Sequence, residues 1–364
     1  MKVLITGGAG FIGCNAARRF LARGEEVIVL DNLSRAGASE NLAWLQDHGN
    51  AEFVSADIRD RSEIGVVFRQ HADADLILHF AAQVAVTTSV DDPALDFEVN
   101  AAGTLNVLEA MRANGVRAPF IFSSTNKVYG GLEDLRVVEQ AGRYSFVDCA
   151  LGVPESRTLD FHSPYGCSKG TGDQYVIDYS RIYGLMTVSL RQSCIYGPRQ
   201  FGVEDQGWVA WFVIAQELGL PLTIYGDGKQ VRDVLFVEDL LDAYEAAAAK
   251  IDRVAGSIYN IGGGPRNTLS LNELVSFLGK SSRSTLNCRK ADWRPGDQRI
   301  YVSDIRKAEA ELGWQPRTNW QHGVGMLLEW VRANRDLLER SFPRPAGKAD
   351  TPQTASKVSQ QVGK

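Results

Sequence analysis

Thr6-Gly7-Gly8-Ala9-Gly10-Phe11-Ile12-Gly13 lies between the apolar run Lys2-Val3-Leu4-Ile5 and a segment of helical spacing from Cys14 to Arg23. The order predicts a strand, a tight glycine turn and the start of a helix. Gly7, Gly10 and Gly13 allow a sharp turn, close approach to a pyrophosphate and tight helix packing, while the helix N-terminus faces the anion. The stretch therefore reads as a dinucleotide site.

Outward from the turn, Glu26-Val27-Ile28-Val29-Leu30 predicts a buried second strand ending at Asp31. A carboxylate about 20 residues beyond such a turn accepts both hydroxyls of an adenosine ribose and repels a 2′-phosphate, so NAD is expected rather than NADP. Arg35, which in this position could accommodate the phosphate, is taken as a surface residue. A third strand, Ala51 to Val54, leads to Asp57-Ile58. Asp57 suits the adenine amino group and Ile58 the face of the ring, although a plain strand-end turn fits the same residues.

The fourth strand, Leu76 to Phe80, opens into Ala81-Ala82-Gln83, small enough for a cofactor to lie close. His79, inside that apolar run, reads as a satisfied core histidine rather than a ligand. Phe97 to Asn114 has helical periodicity and stops at Asn114-Gly115. A fifth strand, Pro119 to Phe122, runs into Ser123-Ser124-Thr125-Asn126-Lys127. Gly131 to Phe161 reads as a long loop, then a helix from Ser163 carries Tyr165 and Lys169, and a sixth strand covers Met186 to Leu190.

This rhythm predicts an α/β fold with a Rossmann-type, doubly wound parallel sheet, whose ligands bind beyond the carboxyl ends of the strands. A smaller, interleaved C-terminal substrate domain is expected. The boundaries are 1–194 for the first domain, which also receives about 231–261, then 195–230 and 262–341 for the second, and 342–364 as a disordered tail.

Composition narrows the partners. The 364 residues are 44% hydrophobic and 23% charged with a formal net charge of -5, which gives no reason to expect nucleic acid or an anionic membrane. Five cysteines without a CxxC pair predict neither a disulfide framework nor a structural metal site. Met1-Lys2-Val3 enters a strand directly, with no signal peptide or membrane span expected, so a cytoplasmic protein follows.

Tyr165 and Lys169 are four apart on a predicted helix and share a face. Bringing a tyrosine from about 10 to about 7 requires roughly 4 kcal/mol of phenolate stabilisation. A neighbouring ammonium and a positive nicotinamide ring supply such stabilisation. Thr125 is placed to orient the same substrate hydroxyl. Tyr225 and Lys229 repeat the spacing, but they enclose Gly226-Asp227-Gly228, a turn, and are set aside.

With these residues the chain resembles the extended short-chain dehydrogenase/reductase family of NAD-dependent sugar-nucleotide epimerases and dehydratases, over about residues 1 to 335. The resemblance implies Thr125, Tyr165 and Lys169 as the catalytic set. For the cofactor it implies Gly7, Gly10, Phe11, Ile12 and Gly13 at the turn, with Asp31 and Asn32 after the second strand. Asp57, Ile58, Ala81, Gln83 and Asn100 complete that set, together with Tyr165 and Lys169. Gly226 to Asp233 and Arg294 to Arg299 look like nucleotide-diphosphate segments, with Arg232 and Arg299 on the phosphates.

Dehydratases of this family carry Thr-Asp-Glu where this chain has Thr125-Asn126-Lys127, so the acid pair that expels water is missing and epimerisation is implied. Residues 123–130, 161–169 and 200–208 are similar to the family's epimerases that act at C2 of a CDP-sugar, implying a CDP-sugar substrate. Cys194 departs from an asparagine common in relatives, which weakens one expected phosphate contact. A C4 epimerase of a UDP-hexose and a non-catalytic NAD-binding scaffold are the alternatives. Family helices near Phe97–Ala113 and Tyr165–Tyr183 imply a homodimer or homotetramer.

Overall fold

A computed structural model describes residues 1–281, 288–293 and 298–342. Strands β1 (Lys2–Thr6), β2 (Glu26–Asp31), β3 (Glu52–Ser55) and β4 (Leu76–His79) alternate with helices α1 (Phe11–Leu21), α2 (Ala38–His48) and α3 (Arg61–Gln70). Short helices α4 (Val86–Asp91) and α5 (Pro93–Phe97) then lead through a π-helical turn, Glu98–Gly103, into α6 (Thr104–Ala113). The continuous helix expected from Phe97 is thus interrupted by one wide turn, a form common at functional sites.

The fifth strand, β5 (Phe120–Thr125), is longer than its apolar core predicts. Residues 131–161, expected as a loop, include a hairpin of β6 (Val137–Gln140) and β7 (Arg143–Phe146). Helix α7 (Ser163–Tyr183) begins with Pro164 in its first turn and ends at Gly184 in the left-handed conformation, the proline-start and glycine-stop pattern. Strand β8 (Thr187–Gln192) follows it.

The remaining elements are β9 (Cys194–Tyr196), α8 (Trp208–Leu218), β10 (Leu222–Tyr225), β11 (Val231–Phe236) and α9 (Val237–Ala249). After a single helical turn, Ile251–Val254, come β12 (Ser257–Ile261), β13 (Thr268–Ser270), the helix Leu271–Ser281, β14 (Cys288–Ala291) and β15 (Ile300–Tyr301). Three further helices, Arg306–Leu312, Trp320–Ala333 and Arg335–Ser341, close the described chain.

Seven strands pair in the order β12-β8-β5-β4-β1-β2-β3, all parallel. Such strands are covered on both faces and read as continuous apolar runs. One face packs Ile5, Val29 and Leu78 against α1 and α9, and the other packs Leu4, Ile28 and Phe120 against α3 and α6. The winding reverses between β1 and β4, which opens the crevice where ligands bind in such sheets.

A separate core of Phe212, Ile214, Phe236, Leu269 and Leu327 belongs to the second region. Of the stretch 231–261, Ser257–Ile261 joins the seven-stranded sheet beside β8. Val231–Phe236, which the sequence assigned with 231–261 to the first domain, pairs not with that sheet but with β9, β13 and β15. Strand β11 presents apolar residues to the second core, while α9 covers the first.

The expected tail, from residue 343 onward, and Arg294 to Asp297 lie outside the described residues. Among the described residues no helix is long and apolar enough to cross a membrane and no cluster suits a metal ion.

Candidate active site

The glycine turn is built as its composition requires. Gly7 has φ +68°, and a Cβ there would lie 2.5 Å from the Ala81 nitrogen. At Gly13 a Cβ would stand 2.2 Å from the Gly7 carbonyl oxygen. Only glycine lets β1, β4 and α1 meet this closely. A Cβ on Gly10 would meet only the Gly7 oxygen, at 3.1 Å, and Gly10 lines a cleft of about 540 Å³.

That cleft is also lined by Asp31, Asn32, Asp57, Ile58, Ala81 and Gln83. Asp31 accepts hydrogen bonds from the backbone N–H of Ala9 at 3.1 Å and of Leu33 at 2.8 Å, which ties the second strand to the glycine turn. Burial raises the Asp31 carboxyl, and those N–H donors oppose the rise. Asp57 is held at about 2, first by its hydrogen bonds to Arg59, and it also accepts from Asn32 at 2.9 Å. The walls, the glycine cradle and the carboxylate at the strand end together fit a dinucleotide.

Phe11, Ile12 and Asn100, expected at the cofactor, are not among the residues that line the cleft. Phe11 and Ile12 are partly buried in the first turn of α1, and Ile12 packs on the sheet core. Asn100 is 1% exposed. Its amide pairs with the Gln83 backbone through bonds of 2.9 and 3.0 Å, so it shapes the cleft wall from behind. His79 is buried between Thr6, at 2.6 Å, and Thr104, at 3.1 Å. Burial lowers it to about 3, leaving a neutral core histidine.

At the end of β5 the Thr125 hydroxyl faces Tyr165 and acts to lower its phenol pKa, while the Lys127 N–H donates to the Thr125 oxygen at 3.2 Å. Burial pushes the Tyr165 phenol up to about 12; Thr125 and the nearby Arg35 guanidinium oppose that shift. Lys169 Nζ donates to the Ser123 carbonyl at 2.5 Å and lies 4.3 Å from the centre of the Phe122 ring. Burial pulls Lys169 down to about 7, against the attraction of Asp173 and Asp96. Tyr165 is thus flanked by a hydroxyl and lies one helical turn from a lysine, the arrangement for moving a proton to and from a substrate hydroxyl.

Beneath α7, Asp173 and Arg191 form a buried ion pair of 2.6 Å. Tyr129 accepts from Arg191 at 3.0 Å and donates to Asn260 at 2.8 Å, joining α7, β8 and β12. Residue types alone do not reveal this support, because its partners are up to 131 residues apart.

On the second region's side, Arg232 donates to the carbonyls of Val231, at 2.9 Å, and Gln298, at 2.7 Å. Lys127 Nζ reaches Gln298 Oε1 at 3.4 Å. The Arg299 guanidinium lies 5.5 Å from the Tyr144 ring centre, so Arg232 and Arg299 are held by different partners. Cys194, beside Trp208, feels the charges of Arg232 and Lys127. Arg35, read from sequence as a surface residue, hydrogen-bonds Gln206 and thereby joins the loop after β2 to the segment before α8. Tyr225 and Lys229 sit at a strand end and past a turn in which Gly226 and Gly228 have positive φ.

Residues 4–327 match the family model described as GDP-mannose 4,6 dehydratase. The chain belongs to this family of extended short-chain dehydrogenases/reductases. It is an enzyme of the NAD-dependent nucleotide-sugar epimerase and dehydratase group, and NAD is its cofactor. It is 47% identical over 336 residues to the CDP-paratose 2-epimerase of Salmonella typhi, covering 91% of this chain and 99% of that one.

Among solved structures, it is similar to the UDP-glucose 4-epimerase of Thermotoga maritima with UDP-glucose. That match has a TM-score of 0.78 and 33% identity, over 92% of this chain and 100% of that one. The Thermus thermophilus UDP-glucose 4-epimerase in complex with NAD matches with a TM-score of 0.74 and 33% identity, over 91% and 99% of the two chains. These likenesses carry the same sheet and the same division into a larger and a smaller region.

Proposed function

We propose that this family member inverts C2 of a CDP-dideoxyhexose, converting CDP-paratose to CDP-tyvelose through a 2-keto sugar. The observation that carries the choice of substrate and carbon is the 47% identity, nearly end to end, with a CDP-paratose 2-epimerase. The geometry supports the reaction type: Thr125, Tyr165 and Lys169 meet at the carboxyl edge of β5. Asn126 and Lys127, next in the chain, are an amide and an ammonium where expulsion of water would need an acid and a base.

The glycine turn, Asp31 and the wall from Ala81 to Gln83 hold the cofactor. When bound, NAD supplies the nicotinamide carbon that exchanges a hydride with the sugar, and its positive charge favours a nearby phenolate. Tyr165, as phenolate, takes the proton of the C2 hydroxyl and returns it when the ketone is reduced on its other face. Thr125 orients the hydroxyl, and Lys169 holds the ribose side and favours the phenolate. Arg232 and Arg299 bind the diphosphate, so that remote binding energy anchors the nucleotide while the sugar turns.

Phe97, Tyr175, Ile182 and Tyr183 leave an exposed apolar band on α5 and α7, which we assign to a homodimer or homotetramer contact. The five cysteines are all free, in keeping with a cytoplasmic enzyme.

Incubation with CDP-paratose and, separately, with UDP-galactose tests the substrate. Paratose carrying deuterium at C2 retains the label at C2 in the product if the hydride returns internally. Turnover of UDP-galactose alone, or loss of label to solvent, overturns the assignment. Protein that binds NAD but never reduces it with any sugar nucleotide would point to the scaffold reading instead.

A further inference from the structure

Asp96 is a carboxylate with 0% exposure in α5, and the proton-transfer chemistry above assigns it no part. Its two oxygens have separate partners. Oδ1 accepts from Asn100 Nδ2 at 3.1 Å, and Oδ2 accepts from the Ser168 hydroxyl. Asn100 in turn bonds Ser168 at 3.1 Å and clamps both backbone groups of Gln83. Ser168 adjoins Lys169, so the Asp96 carboxylate joins α5 to α7, and the Tyr165 N–H, which donates to Ser89 at 3.1 Å, separately ties α4 to the same end of α7.

We propose that Asp96 is a positioning residue for Tyr165 and Lys169, locking the first turns of α7 to the end of β4 through Ser168 and Asn100 while presenting its carboxylate charge to both groups. The π-helical turn makes this possible, because it begins directly after α5 and carries Asn100 back between Gln83 and Ser168. A buried carboxylate is costly unless its oxygens are hydrogen-bonded and a cation lies near. Both conditions hold: burial raises the Asp96 carboxyl, and Ser168, Lys169 and Asn100 each oppose the rise.

The charged groups around the pair come from several elements. Tyr165 faces Asp96 from α5 and Arg35 from the loop after β2, besides the Thr125 hydroxyl. Lys169 faces Asp96 and, on its own helix, Asp173, whose charge is matched by Arg191 of β8. Neutral His79 of β4 also feels Lys169. Asp96 is the carboxylate that acts on both Tyr165 and Lys169. Its charge favours the ammonium of Lys169 and disfavours the phenolate of Tyr165, so it raises both protonation equilibria.

This role rests on the proposed acid–base chemistry, but it is tested without a substrate. In the NAD-loaded protein, Tyr165 is titrated by tyrosinate absorbance, with Tyr165→Phe as the blank. The Asp96→Asn variant keeps the size and a bond to Ser168 while removing the charge. We expect the Tyr165 midpoint to fall by roughly one pH unit, the scale of a unit charge at close range in protein. A residue with only a packing role would leave the midpoint in place, and that result overturns the proposal.

A second variant, Ser168→Ala, cuts the link and keeps the charge. Here we expect amide exchange at residues 165–169 to rise about tenfold, the sign of a loosened local opening equilibrium. Unchanged exchange overturns the proposal, including in the event that Asp96→Asn does not fold. Failure of the CDP-sugar assignment alters neither readout.

Discussion

Lys169 Nζ lies 2.5 Å from the backbone carbonyl oxygen of Ser123, so the lysine of α7 is bonded to β5 two residues before Thr125. The contact ties helix α7 to the strand edge. It also leaves an ammonium in a buried setting, where Lys169 is pulled down to about 7.

That depression predicts a dependence of stability on pH. From about 7 up to the ordinary lysine value near 10.5, the unfolded chain holds a proton that the folded chain releases. Stability from this group therefore rises with pH across that window and is lowest below it. Urea midpoints of the wild type, compared with Lys169→Met at several pH values from 7 to 10, should converge toward or pass the variant as pH rises. The variant should be the more stable near pH 7 and inactive throughout.

Replacing Tyr165 by Phe removes the hydroxyl proposed to carry the proton. Turnover should fall about 10²–10⁴-fold, the usual range for a general acid–base group, with NAD still present when nucleotide is released by denaturation. Near-normal turnover would remove Tyr165 from the mechanism.

Asp31 closes the cofactor cleft beyond the glycine turn and is already oriented by Ala9 and Leu33. Asp31→Ala should leave the fold intact and lower NAD affinity about 10-fold or more, through loss of charge-assisted bonds to the ribose. Fluorescence titration of stripped protein with NAD measures this, and NADP should gain relative to NAD.

Gly7→Ala places a methyl group 2.5 Å from the Ala81 nitrogen at a residue with φ +68°. Left-handed strain of about 1–2 kcal/mol and overpacking of about 1–3 kcal/mol should together lower the melting temperature by several degrees and empty the NAD site. Gly24→Ala is the control: its φ is also positive, +75°, but nothing lies within 4 Å. It should show the smaller, backbone part alone.

Breaking the Asp173–Arg191 pair by Asp173→Ala leaves a buried guanidinium with no matching charge and should cost about 3–5 kcal/mol. Adding Arg191→Met should recover much of the loss. Thermal or urea unfolding of the two variants distinguishes a buried pair from an exposed one, whose removal would cost about 1 kcal/mol or less.

Periodicity and glycine placement in the chain were enough to determine the strand–turn–helix start, the alternating rhythm and the doubly wound parallel sheet. The reason is local: each rests on residues a few positions apart. The same holds for the spacing of Tyr165 and Lys169 on α7 and for the turn that disqualifies Tyr225 and Lys229. Sequence alone did not separate the residues that line the cleft from Asn100, which supports it from behind. Nor did it place β11, because Val231–Phe236 has an apolar pattern that suits either sheet and only its pairing with β9, β13 and β15 chooses between them. Tertiary structure also decided what surrounds Lys169: Asp96 is 73 positions away and Ser123 46, and burial with its electrostatic consequences exists only once α5, β5 and α7 have packed.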